Sequence, residues 1–136
     1  MGMNTKGSTI KLWLVGVVLA HLIISVVHGS AHTKASVPLS PASNLFVLTV
    51  ILAGPLLGLA LMWRSQRIGS WLIALTLAGS LVFGFLNHFV FSSPDHVTHV
   101  DPQWRPLFAT TAVLLAVTEA FGSGLAVRSL RPRRSL

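Results

Sequence analysis

Four apolar segments, running roughly Leu12 to Val27, Leu45 to Trp63, Trp71 to Phe91 and Leu107 to Val127, divide this chain, and its charges are sorted around them. Each segment is about as long as a helix needs to cross a hydrocarbon core of about 30 Å. In such a core each backbone amide must find its partner within its own segment. The spacing therefore predicts an all-α fold, an integral membrane four-helix transmembrane bundle with residues 1–136 as a single domain. Threaded through a bilayer, the chain puts Lys6, Lys11, Arg64, Arg67, Arg128, Arg131, Arg133 and Arg134 on one side and only Lys34 and Arg105 on the other. Lysine and arginine in short loops stay on the cytoplasmic side, so the expected topology is N-in and C-in, in a plasma (inner) membrane.

Composition narrows the partners. With 52% hydrophobic and 10% charged residues, the chain has too little polar surface for a soluble domain. Its net charge of +7 sits beside helix ends, where anionic headgroups account for it, and not in an aromatic-interleaved patch that would read nucleic acid. The lipid bilayer is the expected partner, with a membrane-protein partner or a second copy as further candidates. Cysteine is absent, which excludes thiolate catalysis, thiolate metal ligation, iron–sulfur clusters and covalent haem attachment. Tyrosine is absent too, removing tyrosyl radical chemistry. No phosphate-binding glycine loop, nucleophile elbow or HExxH pattern occurs.

The first segment carries a second reading. Lys6 and Lys11 before an apolar run, with Gly29-Ser30-Ala31 after it, also fit a secretory signal whose removal would delete His21 and His28. The run is longer than a usual signal core and His21 interrupts it, so a retained helix is the expectation. Ser43 or Asn44 is the expected N-cap of the second helix, and Pro55 should free the carbonyl of Ile51 and kink that helix. The short stretch 64–70 makes helices two and three antiparallel neighbours. Small residues four apart recur in every segment: Gly16 and Ala20, Gly54 and Gly58, Ser80 and Gly84, Ala120 and Gly124. Such pairs let helix backbones approach closely in lipid.

Histidine is sorted opposite to the arginines. His21, Ser25, His28 and His32 form one stripe on a helical face, provided the helix continues through Gly29 and Ser30. His88 ends the third segment, and the loop after it holds Asp95, His96, His99 and Asp101. Three parts of the chain thus deliver imidazole to the outer end of one small bundle. Imidazole nitrogen and carboxylate oxygen suit a transition metal such as Zn, Cu or Fe. The candidate ligands are His28, His32, His88, His96 and His99, with Asp95 or Asp101 as ligand or orienting partner. The alternatives are a b-type haem electron-transfer protein, with His28 and His88 or His21 and His88 as axial pair, and an accessory subunit whose polar groups only specify packing. Glu119 is the sole acidic residue within a segment, and a carboxyl at that depth needs a partner. His21 lies at a similar depth, so a His21–Glu119 hydrogen bond is expected.

Overall fold

The computed structural model describes the backbone of residues 5–131 and side chains from Ser8 onward. Arg133 and Arg134 lie outside the described residues. Four helices, α1 (Thr5–Lys34), α2 (Pro41–Met62), α3 (Gln66–Val90) and α4 (Arg105–Ser129), make up the fold, and each is long and apolar enough to cross a membrane. There are no strands among the described residues.

Helix α1 continues through Gly29 and Ser30 to Lys34. Local side chains help to hold it there: the Ser30 hydroxyl donates to the Val26 carbonyl at 3.1 Å and the Thr33 hydroxyl to the Gly29 carbonyl at 3.1 Å. It stops where Ser36 takes a left-handed φ of 53°. The reversal lets the Val37 amide donate back to the His32 carbonyl at 3.0 Å, a closure that satisfies an orphan carbonyl of the last turn.

Helix α2 begins earlier than expected. Ser40 is its N-cap, not Ser43 or Asn44, and its hydroxyl accepts from the Ser43 amide at 3.0 Å. Pro41 occupies the first helical position, where the missing N–H of proline costs nothing. Ahead of Pro55 the helix widens to π geometry over Val47–Ala53. One such turn with a shifted hydrogen-bond register accommodates a residue that can neither donate nor pack against the carbonyl four residues back. Only Trp63, Arg64 and Ser65 separate α2 from α3, and Ser65 caps α3 by accepting from the Ile68 amide.

The helices pack in the order α1, α4, α3, α2, while α1 and α2 barely meet and leave a cleft between them. Two apolar clusters close the bundle ends. Leu14, Val18, Met62, Ile73, Leu77 and Ala126 fill the end where α1 begins and α4 finishes, and Ala31, Val37, Val100 and Phe108 fill the other. The outward faces are apolar as well, with Leu12, Ile23, Leu48, Leu75, Val117 and Phe121 among the exposed residues. Surfaces of that extent belong against lipid or protein, not water.

The small-residue pairs divide sharply. A Cβ on Gly54 or Gly58 would come to 2.5 Å from a side chain of α3, whereas one on Gly16 or Gly124 would meet nothing within 4 Å. The close approach is therefore α2 against α3, with Gly69 supplying the facing backbone. Gly122 makes a further tight contact, against Leu77 and Val17.

Candidate metal centre

Three histidines from two helices converge beneath the Phe108 cluster. One nitrogen from each of His28, His32 and His88 lies within 4.8 Å of one from each of the others, and all three residues are buried. Phe108 packs on all of them, with ring centroids 4.8 Å from His28, 4.8 Å from His32 and 5.2 Å from His88. Helix α1 supplies His28 and His32 one turn apart, and the π turn Leu86–Val90 at the end of α3 supplies His88.

The hydrogen bonds assign the tautomers. His28 Nδ1 lies 2.7 Å from the Thr111 hydroxyl, whose own proton goes to the carbonyl of Leu107 at 2.8 Å or Phe108 at 3.0 Å. The hydroxyl is thus the acceptor and His28 Nδ1 carries the proton. His88 Nδ1 donates to the Asp95 carbonyl at 3.1 Å, and His32 Nδ1 to the Val37 carbonyl at 3.4 Å. A carbonyl can only accept, so these two imidazoles carry their proton on Nδ1 as well. In neutral imidazole the other nitrogen is then a bare lone pair. That holds for each of the three Nε2 atoms when its ring is neutral.

Close contacts join these groups. His28 Nε2 and His88 Nε2 are 3.2 Å apart. Asp95 Oδ1 lies 3.3 Å from His32 Nε2 and 3.4 Å from His88 Nδ1, yet it is buried and aligned with neither for a hydrogen bond. Burial alone would push the Asp95 carboxyl up, but the contact with His88 and the charges that His88, His32 and His28 carry when protonated hold it below the usual carboxylate range. His28, His32 and His88 thus form a buried group that could hold a cation, with the Asp95 carboxylate beside it on the Nδ1 side of His88. Neighbouring ligands of a tetrahedral zinc at about 2.0–2.1 Å lie about 3.3 Å from one another. The His28–His88 separation is close to that edge, and the three histidine nitrogens, within 4.8 Å of one another, would draw in around an ion. The Thr111 hydroxyl and the two carbonyls are the orienting partners that metal-bound histidines usually have.

The remaining candidate ligands sit elsewhere. His96 and His99 lie against each other in the loop at a centroid distance of 5.4 Å, their rings tilted by 47°. Their Nδ1 atoms are taken by the Thr98 hydroxyl at 2.8 Å and the Ser93 carbonyl at 2.6 Å. Asp101 is exposed and accepts from the Gln103 amide at 2.7 Å, capping a turn. Among the described residues, none of these three joins a group of three ligands.

A second polar layer lies deeper. His21 Nε2 is 3.1 Å from Glu119 Oε1, and the same oxygen accepts from the Ser80 hydroxyl. All three residues are buried. Ser80 is the partner that sequence reasoning missed. Polar pairs between membrane helices couple by about 0.6 kcal/mol and at most about 1.7 kcal/mol, so His21→Ala and Glu119→Gln should show coupling of that order in a double-mutant cycle on unfolding in detergent. Strict additivity would mean that the contact carries no energy.

No protein family matches this chain, and no curated protein or solved structure does either.

Proposed function

We propose that this chain is a small integral membrane protein that binds a transition metal, with zinc the best fit, through His28, His32, His88 and Asp95. Both termini are cytoplasmic, and the centre lies just inside the outer face of the plasma membrane. The observation that carries the reading is the buried group of His28, His32 and His88, each with an acceptor near Nδ1 that leaves Nε2 for a cation when the ring is neutral. Three imidazoles and a carboxylate favour Zn(II), Cu(II) or Fe(II) over Cu(I), which prefers sulfur. A centre that only locked the helices together would gain more from protons between its nitrogens than from lone pairs facing one another.

The haem alternative fits poorly. An iron between two axial imidazoles holds their nitrogens about 4 Å apart with a macrocycle in the gap, and His28 and His88 stand 3.2 Å apart with no such gap. His21, the other axial candidate, is engaged by Glu119.

Protein purified from zinc-replete cells should carry one zinc per chain by elemental analysis. Cobalt exchanged into the site should give the visible absorption of a tetrahedral ion. An empty protein with no Soret band would overturn the reading and leave a packing or accessory role. The orientation rests on the eight-to-two split of basic residues. Reporter fusions at Gln66 and at the C-terminus should both read cytoplasmic, and an external signal at either would place the centre on the wrong side.

A further inference from the structure

The cleft between α1 and α2 is a cavity of about 630 Å³ that joins the two polar layers. His28, His32 and His88 line it at one level, and Ser80 and Glu119 at the other. The turn after α1 forms its rim, where Thr33, Ser36 and Pro38 line the cavity and are exposed. A carboxyl in the middle of a membrane-length helix thus stands on the wall of a space that reaches the end of the bundle. Liquid water takes up about 30 Å³ per molecule, so the space has room for several waters, with Asn44, Thr33 and Glu119 among the polar side chains on its wall.

The opposite direction is packed. Gly122 lies one turn from Glu119 on α4, and a Cβ there would fall 2.6 Å from Leu77 of α3 and 2.7 Å from Val17 of α1. Three helices therefore close on one another at this level. From there toward the start of α1 the bundle is filled by Leu14, Val18, Ile73 and Leu77, each at most 1% exposed.

The surroundings of Glu119 leave it a proton to exchange. Its two hydrogen bonds, one accepted from the Ser80 hydroxyl and one shared with His21 Nε2, both fall on Oε1, which leaves Oε2 for a proton. His21 of α1 touches the carboxyl. His88 of α3, with His28, His32 and Asp95, lies one layer nearer the rim, α2 carries no titratable side chain, and Arg105 and Arg128 stand at the two ends of α4. Among the described residues no lysine or arginine pairs with it. A carboxylate at this depth is costly without a fixed cation, and the neutral form needs a proton drawn from solvent.

We propose that Glu119 is a proton-binding site that exchanges with the solution at the rim and is closed toward the other face of the membrane. The site needs no metal. Its supply from the outer side rests on the topology proposed above.

The chain has no cysteine, so single-cysteine variants report water access without background. In the full chain reconstituted in lipid vesicles, Ile51→Cys and Leu115→Cys, on the cavity wall, should react with a membrane-impermeant thiosulfonate added on the rim side. Thr98→Cys, exposed in the loop at that end, identifies the side. Val18→Cys and Ile73→Cys, in the packed end, should react from neither side. Infrared difference spectra between acidic and alkaline buffer should show a protonated-carboxyl C=O band that shifts on transfer to D2O, is lost in Glu119→Gln and persists in Asp101→Asn and Asp95→Asn. Absence of a Glu119-dependent band, a band that D2O leaves unmoved, unreactive cysteines at both cavity positions, or labelling of Val18→Cys or Ile73→Cys from the far side would overturn the proposal. Should Glu119→Gln fail to fold, the deuterium shift in wild type and the cysteine variants still decide it. External signals from the terminal reporters, or a chain without zinc, would overturn those readings alone, because the band and the labelling pattern require neither.

Discussion

His88→Ala is expected to empty the metal centre: wild-type protein with one zinc per chain, and the variant with none after the same purification. His88 contributes a lone pair fixed by the Asp95 carbonyl, and removing it leaves too few donors for a closed site. The loss should exceed the roughly 10–100-fold in affinity that changing an orienting partner costs. Thr111→Val supplies that comparison, because it deletes the acceptor of His28 Nδ1 while keeping all three imidazoles. His96→Ala and His99→Ala should keep full zinc, since their ring nitrogens serve loop contacts with Thr98 and Ser93. Metal bound only to the folded state stabilises it by about 2.7 kcal/mol at one hundred times its dissociation constant. A chelator should therefore lower the unfolding midpoint of wild type and leave that of His88→Ala unmoved. Equal zinc in wild type and His88→Ala would refute the assignment.

Gly69→Ala should be the most damaging single methyl in the protein. A Cβ at Gly69 would fall 2.5 Å from the Gly58 carbonyl oxygen and would also strike the Met62 side chain and backbone. Backbone cannot rotate away as a flexible side chain can. Overpacking of this kind costs about 1–3 kcal/mol and sometimes more, and here it would spread α2 from α3 along their shared length. Gly124→Ala is the matched control: it meets nothing within 4 Å and, in a helix, alanine is the better former by about 1 kcal/mol. Unfolding in a denaturing detergent should separate the two variants clearly. If both behave alike, the tight α2–α3 contact does not exist in solution.

The small-residue pairs show what sequence spacing can and cannot say. Gly54 and Gly58 look no different in the sequence from Gly16 and Ala20, yet only the former meet a neighbouring helix closely. Spacing tells which residues share a face of a helix, and not which face is turned inward. A related signal could have been read further. On α1, α3 and α4 a polar residue recurs seven or eight positions along: His21 and His28, Ser80 and His88, Thr111 and Glu119. Two turns of helix separate the members by about 11 Å. That common interval is the pair of stacked layers: His21, Ser80 and Glu119 in one, and His28, His88 and Thr111 in the other.

By itself the sequence determined the number and apolar character of the helices, the sorting of arginine against histidine, and the elements from which a metal site could be drawn. These follow from local composition, because a segment's hydropathy and its flanking charges do not depend on what it packs against. The tertiary structure decided which histidines meet. His96 and His99 are as rich in ligand chemistry as His28 and His32, but their loop turns them onto Thr98 and Ser93, while the π turn of α3 and the continuation of α1 to Lys34 carry the other three under Phe108. It also decided which ring nitrogen has an acceptor beside it, and a lone pair is left on Nε2 of a neutral ring only when an acceptor from elsewhere in the chain takes the opposite proton. Thr111, the Val37 carbonyl and the Asp95 carbonyl do that, and each reaches its place through a helix crossing, a left-handed turn or a loop that no local pattern encodes.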